Sequence, residues 1–243
     1  MLLGQQNLPV TDGWLTAAEA ETARGLRFTK RRAEYLLRRW VCKHAVAAAV
    51  GLPGDLDSLR RVEVVNLPSG APAVLLDGAS PGVAVSLTDR AGWAVCVVAD
   101  PDGPVGCDLE RVEPRSAGFV ADFLTEGERV HLAALPEHER AMSANLLWSA
   151  KESALKLLGT GLRRDTRTVE VTVAPAVEPG AWTPLAVRAS ERGELPGWWR
   201  RDGAFVLTVV SEQHTPPPTE LAGSARLGSA EPVEAWQAEP LAP

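Results

Sequence analysis

Trp40-Val-Cys-Lys43, with Gly51 eight residues beyond the lysine, returns as Trp148-Ser-Ala-Lys151 with Gly159 eight beyond, an offset of 108 residues. The apolar run Trp93 to Val98 is echoed by Phe205 to Val210. Solenoid units repeat every ~20–50 residues, so this spacing predicts instead two copies of an α+β half, and ligands often lie between such halves. Around the first echo, Thr16 to Ala49 reads as helix: Thr16-Ala-Ala-Glu19 is a capping-box pattern, Gly51 and Pro53 end the run, and a break is expected near Gly25. Around the second, helical periodicity covers Thr125 to Leu135 and about Arg140 to Leu158, with Gly159 as the cap.

Between and after the helices the texture is that of strands. Val62 to Asn66, Val74 to Leu76, Val83 to Leu87 and Trp93 to Ala99 alternate or run apolar. Asp100-Pro-Asp-Gly-Pro104 is a turn, after which Val105 to Glu110 is expected to pair with the preceding strand. Thr168 to Val173, Leu185 to Ala189 and a hairpin turning at Arg201-Asp-Gly complete the set. The expected division is an N-terminal α+β unit over 1–104 and a C-terminal α+β unit over 105–213. A flexible Pro-rich tail is expected over 214–243, where Pro216-Pro-Pro218 and scattered acids lack any apolar period.

Composition narrows the function classes. With 243 residues, 45% hydrophobic, and a formal charge of -6, the chain can bury a core, and its longest apolar stretches fall far short of the roughly 20 residues of a membrane helix. No basic-then-apolar leader opens it, and three scattered cysteines argue against a disulfide framework, so a cytoplasmic protein is expected. Yet Arg24, Arg27, Lys30, Arg31, Arg32, Arg38, Arg39 and Lys43 face only Glu34 between them. That segment is either a solvated helix face or a site for an anion, a phosphorylated ligand or acidic protein. Nucleic acid fits less well in an acidic protein with few aromatics there.

Asp108 and Glu110 sit two apart on a predicted strand, so both carboxylates leave the same face while Cys107 and Leu109 leave the other. Two like charges on one face need a cation between them or bulk water. Lys151, Glu152 and Lys156 follow on a helix otherwise rich in leucine and alanine. Glu152 and Lys156 read either as a surface i,i+4 pair or as a third carboxylate and an ammonium for a divalent ion and phosphates. Glu128 closes a Thr125-x-x-Glu128 capping box, sufficient reason for its presence. His44, His131, His138 and His214 lie in no metal or triad pattern, and no phosphate-binding glycine loop occurs.

Taken together, Val105-Gly-Cys-Asp-Leu-Glu110, Phe123-Leu-Thr-Glu-Gly-Glu128 and Trp148-Ser-Ala-Lys-Glu-Ser-Ala-Leu-Lys156 resemble the 4'-phosphopantetheinyl transferase superfamily, of the two-lobed type that activates surfactin synthetase. Tyr35-Leu-Leu-Arg-Arg39 with Lys43, and Gly70-Ala-Pro72, are similar to its first-half features, so the likeness runs from about residue 10 to 212. The resemblance implies a pseudo-duplicated α+β fold with the active site between the lobes, in a monomer. It implies magnesium, coenzyme A as co-substrate, and a serine of an apo acyl or peptidyl carrier protein as acceptor, in polyketide or nonribosomal peptide biosynthesis, with 3',5'-ADP released. By the same resemblance Asp108, Glu110 and Glu152 hold the metal. Glu152, Lys156 and Glu128 are catalytic or auxiliary. Arg39, Lys43, Thr88, Asp89, Arg90, Lys151 and Lys156 meet coenzyme A. Thr88-Asp89-Arg90 stands where the family commonly has Ser-His-Ser, so Asp89 is expected to alter coenzyme A recognition unless Arg90 or the basic helix offsets its charge. Two rivals remain: a non-catalytic coenzyme A or carrier-protein binding module, and an interaction protein using its basic helix on an acidic partner or nucleic acid.

Overall fold

Thr16 opens the first helical pair as the sequence indicates. Its hydroxyl accepts from Glu19 N and its own N donates to the Glu19 carboxylate, closing the capping box of α1 (Ala17–Gly25). Helix α2 (Thr29–Val50) follows and stops at Gly51, which takes the left-handed conformation open to a residue without Cβ. These elements come from a computed structural model that describes residues 1–176, 178 and 180–233.

The described residues divide into two compact units, Met1–Asp102 and Gly103–Thr219, with Glu220–Arg226 and 230–233 assigned to the first and Leu227–Ser229 to the second. In the first unit, β1 (Leu2–Gly4), α1, α2, and a short α3 (Leu56–Arg61) precede β2 (Val62–Asn66), β3 (Pro72–Leu76), β4 (Ala84–Arg90) and β5 (Trp93–Ala99). The antiparallel sheet is ordered β1-β5-β4, with β2-β3 as a separate hairpin. Buried Leu36, Leu37, Val41, Ala45 and Val46 of α2 form the core with Val62, Val64, Val85 and Ala94.

The second unit opens with β6 (Val105–Arg111), then α4 (Ala117–Phe123), α5 (Glu126–Ala134), α6 (Glu137–Leu157), and β7 (Val169–Val173), β8 (Thr183–Ala189), β9 (Gly193–Asp202) and β10 (Phe205–Ser211). Its antiparallel sheet is ordered β6-β10-β9-β8-β7. Leu146, Leu147, Ala150, Ala154 and Leu155 of α6 pack on Val169, Val187, Val206 and Val210. No helix among the described residues is long and apolar enough to cross a membrane.

Two expectations change. Val105 to Glu110 does not pair with the preceding strand: β5 already has β1 and β4 on its two edges, so β6 takes β10, with Leu109 opposite Leu207. Nor is the whole stretch from 214 a free tail. Ser224 Oγ accepts from Leu2 N at 2.9 Å, Ala225 N donates to Leu2 O, Trp93 Nε1 donates to Glu231 O at 2.7 Å, and Val233 N donates to Ala91 O. Leu227 and Ala230 are buried. The docking uses unpaired backbone of β1 at Leu2, the Trp93 indole and the turn carbonyl of Ala91, which composition and apolar period do not reveal. Residues 234–243 of the expected tail lie outside the described residues.

Candidate active site

Gly106, Asp108 and Glu110 alternate onto the face of β6 that α6 covers. A Cβ on Gly106 would stand 1.9 Å from Ser153 O and 2.9 Å from Leu157 N, so only glycine lets the helix approach this closely. A polar seam fixes the approach: Ser149 Oγ donates to Asp108 O at 3.0 Å, and Ser149 and Ser153 meet Thr208 Oγ1 at 2.8 and 2.7 Å. Both serines are therefore packing residues. Trp148, Glu152 and Lys156 recur every four residues along one stripe of α6 and face the strand's carboxylates.

Each carboxylate in this stripe has a different environment. Lys156 Nζ donates to Asp108 Oδ1 at 2.8 Å and to Cys107 O at 2.9 Å, so the lysine turns to the strand rather than forming a surface pair with Glu152. Trp148 Nε1 donates to Glu110 Oε1 at 3.0 Å and Arg115 Nη2 to Glu110 Oε2 at 2.8 Å. Glu152 Oε1 is buried with no hydrogen-bond partner among the described residues. Burial, then repulsion from Asp108 and Glu110, lifts the Glu152 pKa from 4.5 to about 7, against the opposing pull of Lys156. Burial is the largest single influence on the Lys156 ammonium and pulls its pKa down, but Asp108, Cys107 and Glu152 together outweigh it and the lysine pKa rises.

The donor set is all oxygen, and an orphaned, buried carboxylate oxygen at Glu152 beside Asp108 suits a hard divalent ion. Magnesium is commonly held by one or two carboxylates, with substrate phosphates and water completing its shell. As the side chains stand, no group of three His, Cys, Asp or Glu among the described residues is spaced to hold a metal. Glu110 is engaged at both oxygens, and the fit is therefore to Asp108 and Glu152, with Glu110 braced alongside.

Lys151, next to Glu152 in sequence, points elsewhere. Its Nζ is fully buried and donates to Thr166 O at 2.9 Å, Val169 O at 2.5 Å and Glu128 Oε2 at 2.9 Å. Glu128 in turn accepts from Thr125 N and, through Oε1, from Val171 N at 3.0 Å. The first unit repeats this knot: buried Lys43 Nζ meets Leu59 O at 3.1 Å, Val62 O at 2.5 Å and Glu19 Oε2 at 2.7 Å, while Glu19 Oε1 accepts from Val64 N at 3.0 Å. In both, burial pulls the ammonium pKa down and the paired glutamate pushes back. These bonds correct three expectations. Lys43 and Lys151 have spent their three donors and do not present an ammonium to coenzyme A, and Glu128 is a buried cap and counter-ion rather than a catalytic acid.

The model of the 4'-phosphopantetheinyl transferase superfamily matches residues 104–190, from the start of β6 through β8. A holo-[acyl-carrier-protein] synthase of Acidovorax sp. (strain JS42) is 37% identical over 87 residues, 31% of this chain and 67% of that protein. The chain belongs to the 4'-phosphopantetheinyl transferase superfamily. Within this superfamily it is also similar to the 4'-phosphopantetheinyl transferase gsp of Aneurinibacillus migulanus, at 26% identity over 111 residues, 42% of this chain and 44% of that one. With the 4'-phosphopantetheinyl transferase psf-1 of Bacillus pumilus it shares 30% identity over 82 residues, 34% of each chain. Both of these matches span less than half of the relative's length.

The remaining coenzyme A expectations of this superfamily member fall in the first unit. Arg39 lies with its guanidinium 3.4 Å from the Tyr35 ring centroid, and its buried Nε has no partner among the described residues. Thr88 is buried on β4; Asp89 and Arg90 end that strand. Asp89 Oδ1 accepts from Arg38 Nη1 at 2.5 Å, so the basic helix supplies the offset its charge required. Sequence reasoning missed Arg115 and Asn145. Asn145, fully buried, accepts from Arg115 Nε at 2.7 Å and donates to Glu113 O and Ala141 O. An asparagine in the middle of an apolar helical stripe was the available signal, since a buried amide requires partners.

Proposed function

We propose that this protein transfers the 4'-phosphopantetheine group of coenzyme A to a serine of an apo acyl or peptidyl carrier protein, releasing 3',5'-ADP. The observation that carries the reading is the Glu152 carboxylate, one oxygen of which is buried without a hydrogen-bond partner among the described residues, beside the Asp108–Lys156 pair within the matched stretch. The names of the similar proteins, two 4'-phosphopantetheinyl transferases and a holo-[acyl-carrier-protein] synthase, support it. So does the twice-built Glu–Lys knot, which supports descent of the two units from one duplicated half.

In this reaction the carrier serine oxygen bonds to the phosphorus that bears the pantetheine arm, and the bond from that phosphorus to the 3',5'-ADP oxygen breaks. Glu152, or a water it orients, takes the serine proton. Lys156 neutralises charge gathering on the phosphate oxygens and the leaving group. Asp108 and Glu152 would hold magnesium, which would supply charge neutralisation at the diphosphate. Arg39 and the Thr88–Arg90 strand end are proposed coenzyme A contacts.

The test is intact-mass analysis of apo carrier domains incubated with the protein, magnesium and coenzyme A. A gain of one phosphopantetheine on a carrier serine is expected. Glu152→Gln should lower turnover by roughly 10²–10⁴-fold, the usual share of a general base. Calorimetric binding of coenzyme A without any product on a broad carrier panel would make the protein a binding module instead.

A further inference from the structure

Arg115 occupies a place that the proposed chemistry does not require. It sits on the loop between β6 and α4, its side chain 14% exposed, with Nη2 on Glu110 and Nε on buried Asn145. The Phe119 ring lies under the guanidinium at 4.6 Å. Three independent contacts fix it, so it is a permanent counter-ion of Glu110 rather than a swinging arm. Lys156 provides the same service to Asp108.

Simple electrostatics gives this arrangement a consequence. Taken with their formal charges, Asp108, Glu110 and Glu152 set against Lys156 and Arg115 sum to one net negative charge. A divalent cation entering alone would turn that into one net positive charge in a partly buried place, which is unfavourable. A diphosphate diester arriving with the cation carries a negative charge on each phosphate and restores the balance. We propose that Arg115, braced by Asn145, couples the two ligands: it keeps the site's affinity for a divalent cation low until a diphosphate-bearing nucleotide is present. This rests on the metal reading above and adds a residue that sets the order of strengths. By linkage, the factor by which the nucleotide tightens the cation equals the factor by which the cation tightens the nucleotide.

Calorimetry with Mn²⁺ on the full chain, alone and saturated with coenzyme A, tests this without reference to transfer. The wild type should bind Mn²⁺ weakly alone and far more tightly with coenzyme A. Arg115→Met should raise the affinity for Mn²⁺ alone by roughly ten-fold, the scale of removing one like charge at close range, and shrink the coupling factor correspondingly. Arg115→Lys, which keeps the charge, should stay near wild type. If Arg115→Met does not fold by circular dichroism, Arg115→Gln keeps hydrogen-bonding groups toward Asn145 and Glu110 and carries the same expectation. Unchanged Mn²⁺ affinity in the charge-removing variant, or equal behaviour of Lys and Met, overturns the proposal. So does the absence of Mn²⁺ binding under every condition. A protein that transfers phosphopantetheine yet shows no charge dependence at Arg115 sinks this inference alone. Intact coupling without transfer sinks only the transferase reading.

Discussion

The two units share a knot and differ in what surrounds it. Thr16, Glu19, Lys43 and Val64 in the first match Thr125, Glu128, Lys151 and Val171 in the second, bond for bond, at offsets of 107 to 109 residues. Extending that correspondence along the strands, Met1 lies opposite Cys96 as Asp108 lies opposite Thr208, and Leu3 opposite Ala94 as Glu110 opposite Val206. One residue beyond the knot lysine stands His44 in the first unit and Glu152 in the second. Where the second unit carries Asp108, Glu110, Glu152 and Lys156, the first carries Met1, Leu3, His44 and Ala48. The knot is common to both units, and the carboxylate and lysine set accompanies it in the second alone. Lys43 and Lys151 each tie buried backbone and a buried glutamate together within their own unit, which is a framework role.

The sharpest way to break this comparison is to cut both knots. Lys43→Met and Lys151→Met each strand a buried glutamate, and each should cost about 3–5 kcal/mol in urea unfolding. Equal losses would support a shared framework role. A large loss of transfer by Lys151→Met at unchanged stability would return that lysine to the active site and undo the correspondence. Gly106→Ala should come next, at about 1–3 kcal/mol or more, because its methyl meets the Ser153 carbonyl and pushes α6 off β6. The same displacement separates Glu152 from Asp108, so transfer should fall further than stability does.

Glu152 offers a third test through pH. Its native pKa of about 7 lies above the ordinary 4.5, so the folded state holds this proton more tightly than the unfolded chain does. The associated stability is present below pH 4.5 and is lost as pH rises towards 7. In metal-free buffer Glu152→Gln should therefore gain on the wild type with rising pH, by on the order of 1–3 kcal/mol at pH 8. Thermal melts at pH 5 and pH 8 read the difference. His44, its counterpart, has its pKa drawn down by burial, so His44→Gln should show the opposite bias, gaining at low pH where the wild-type imidazole must charge.

Much of this framework was legible in sequence because it is periodic. The capping boxes, the helix ends at Gly51 and Gly159, and strands such as Val62–Asn66 and Trp93–Ala99 rest on local rules that tertiary packing did not overrule. Strand alternation put Asp108 and Glu110 on one face, while the family resemblance, and not the spacing, joined Glu152 to them. The lysines were misread because neighbours in sequence are not neighbours on a helix. Successive residues point about 100° apart, so Lys151 faces β7 and Glu128 while Glu152 faces β6. Arg115 escaped because its partner Asn145 lies 30 residues away, and α4 because seven residues starting at Ala117 are too few for a helical period to show.

The smallest effect tests the first unit's own anion chemistry. Arg38 and Asp89 form an ion pair whose side chains are 35% and 12% exposed, between the basic helix and the end of β4. Pairs this open contribute about 0–1 kcal/mol, and salt weakens them further. Asp89→Asn should thus leave the melting temperature nearly unchanged while freeing the Arg38 guanidinium. If that strand end receives a coenzyme A phosphate, the freed guanidinium lowers the Michaelis constant for coenzyme A at low salt, and the gain fades as salt rises. Asp89→His should act in the same direction, since it too removes the negative charge. A constant that moves in neither variant means that the strand end lies apart from the ligand, and of the proposed first-unit contacts Arg39 is then the one left to test, its buried Nε lacking a partner among the described residues.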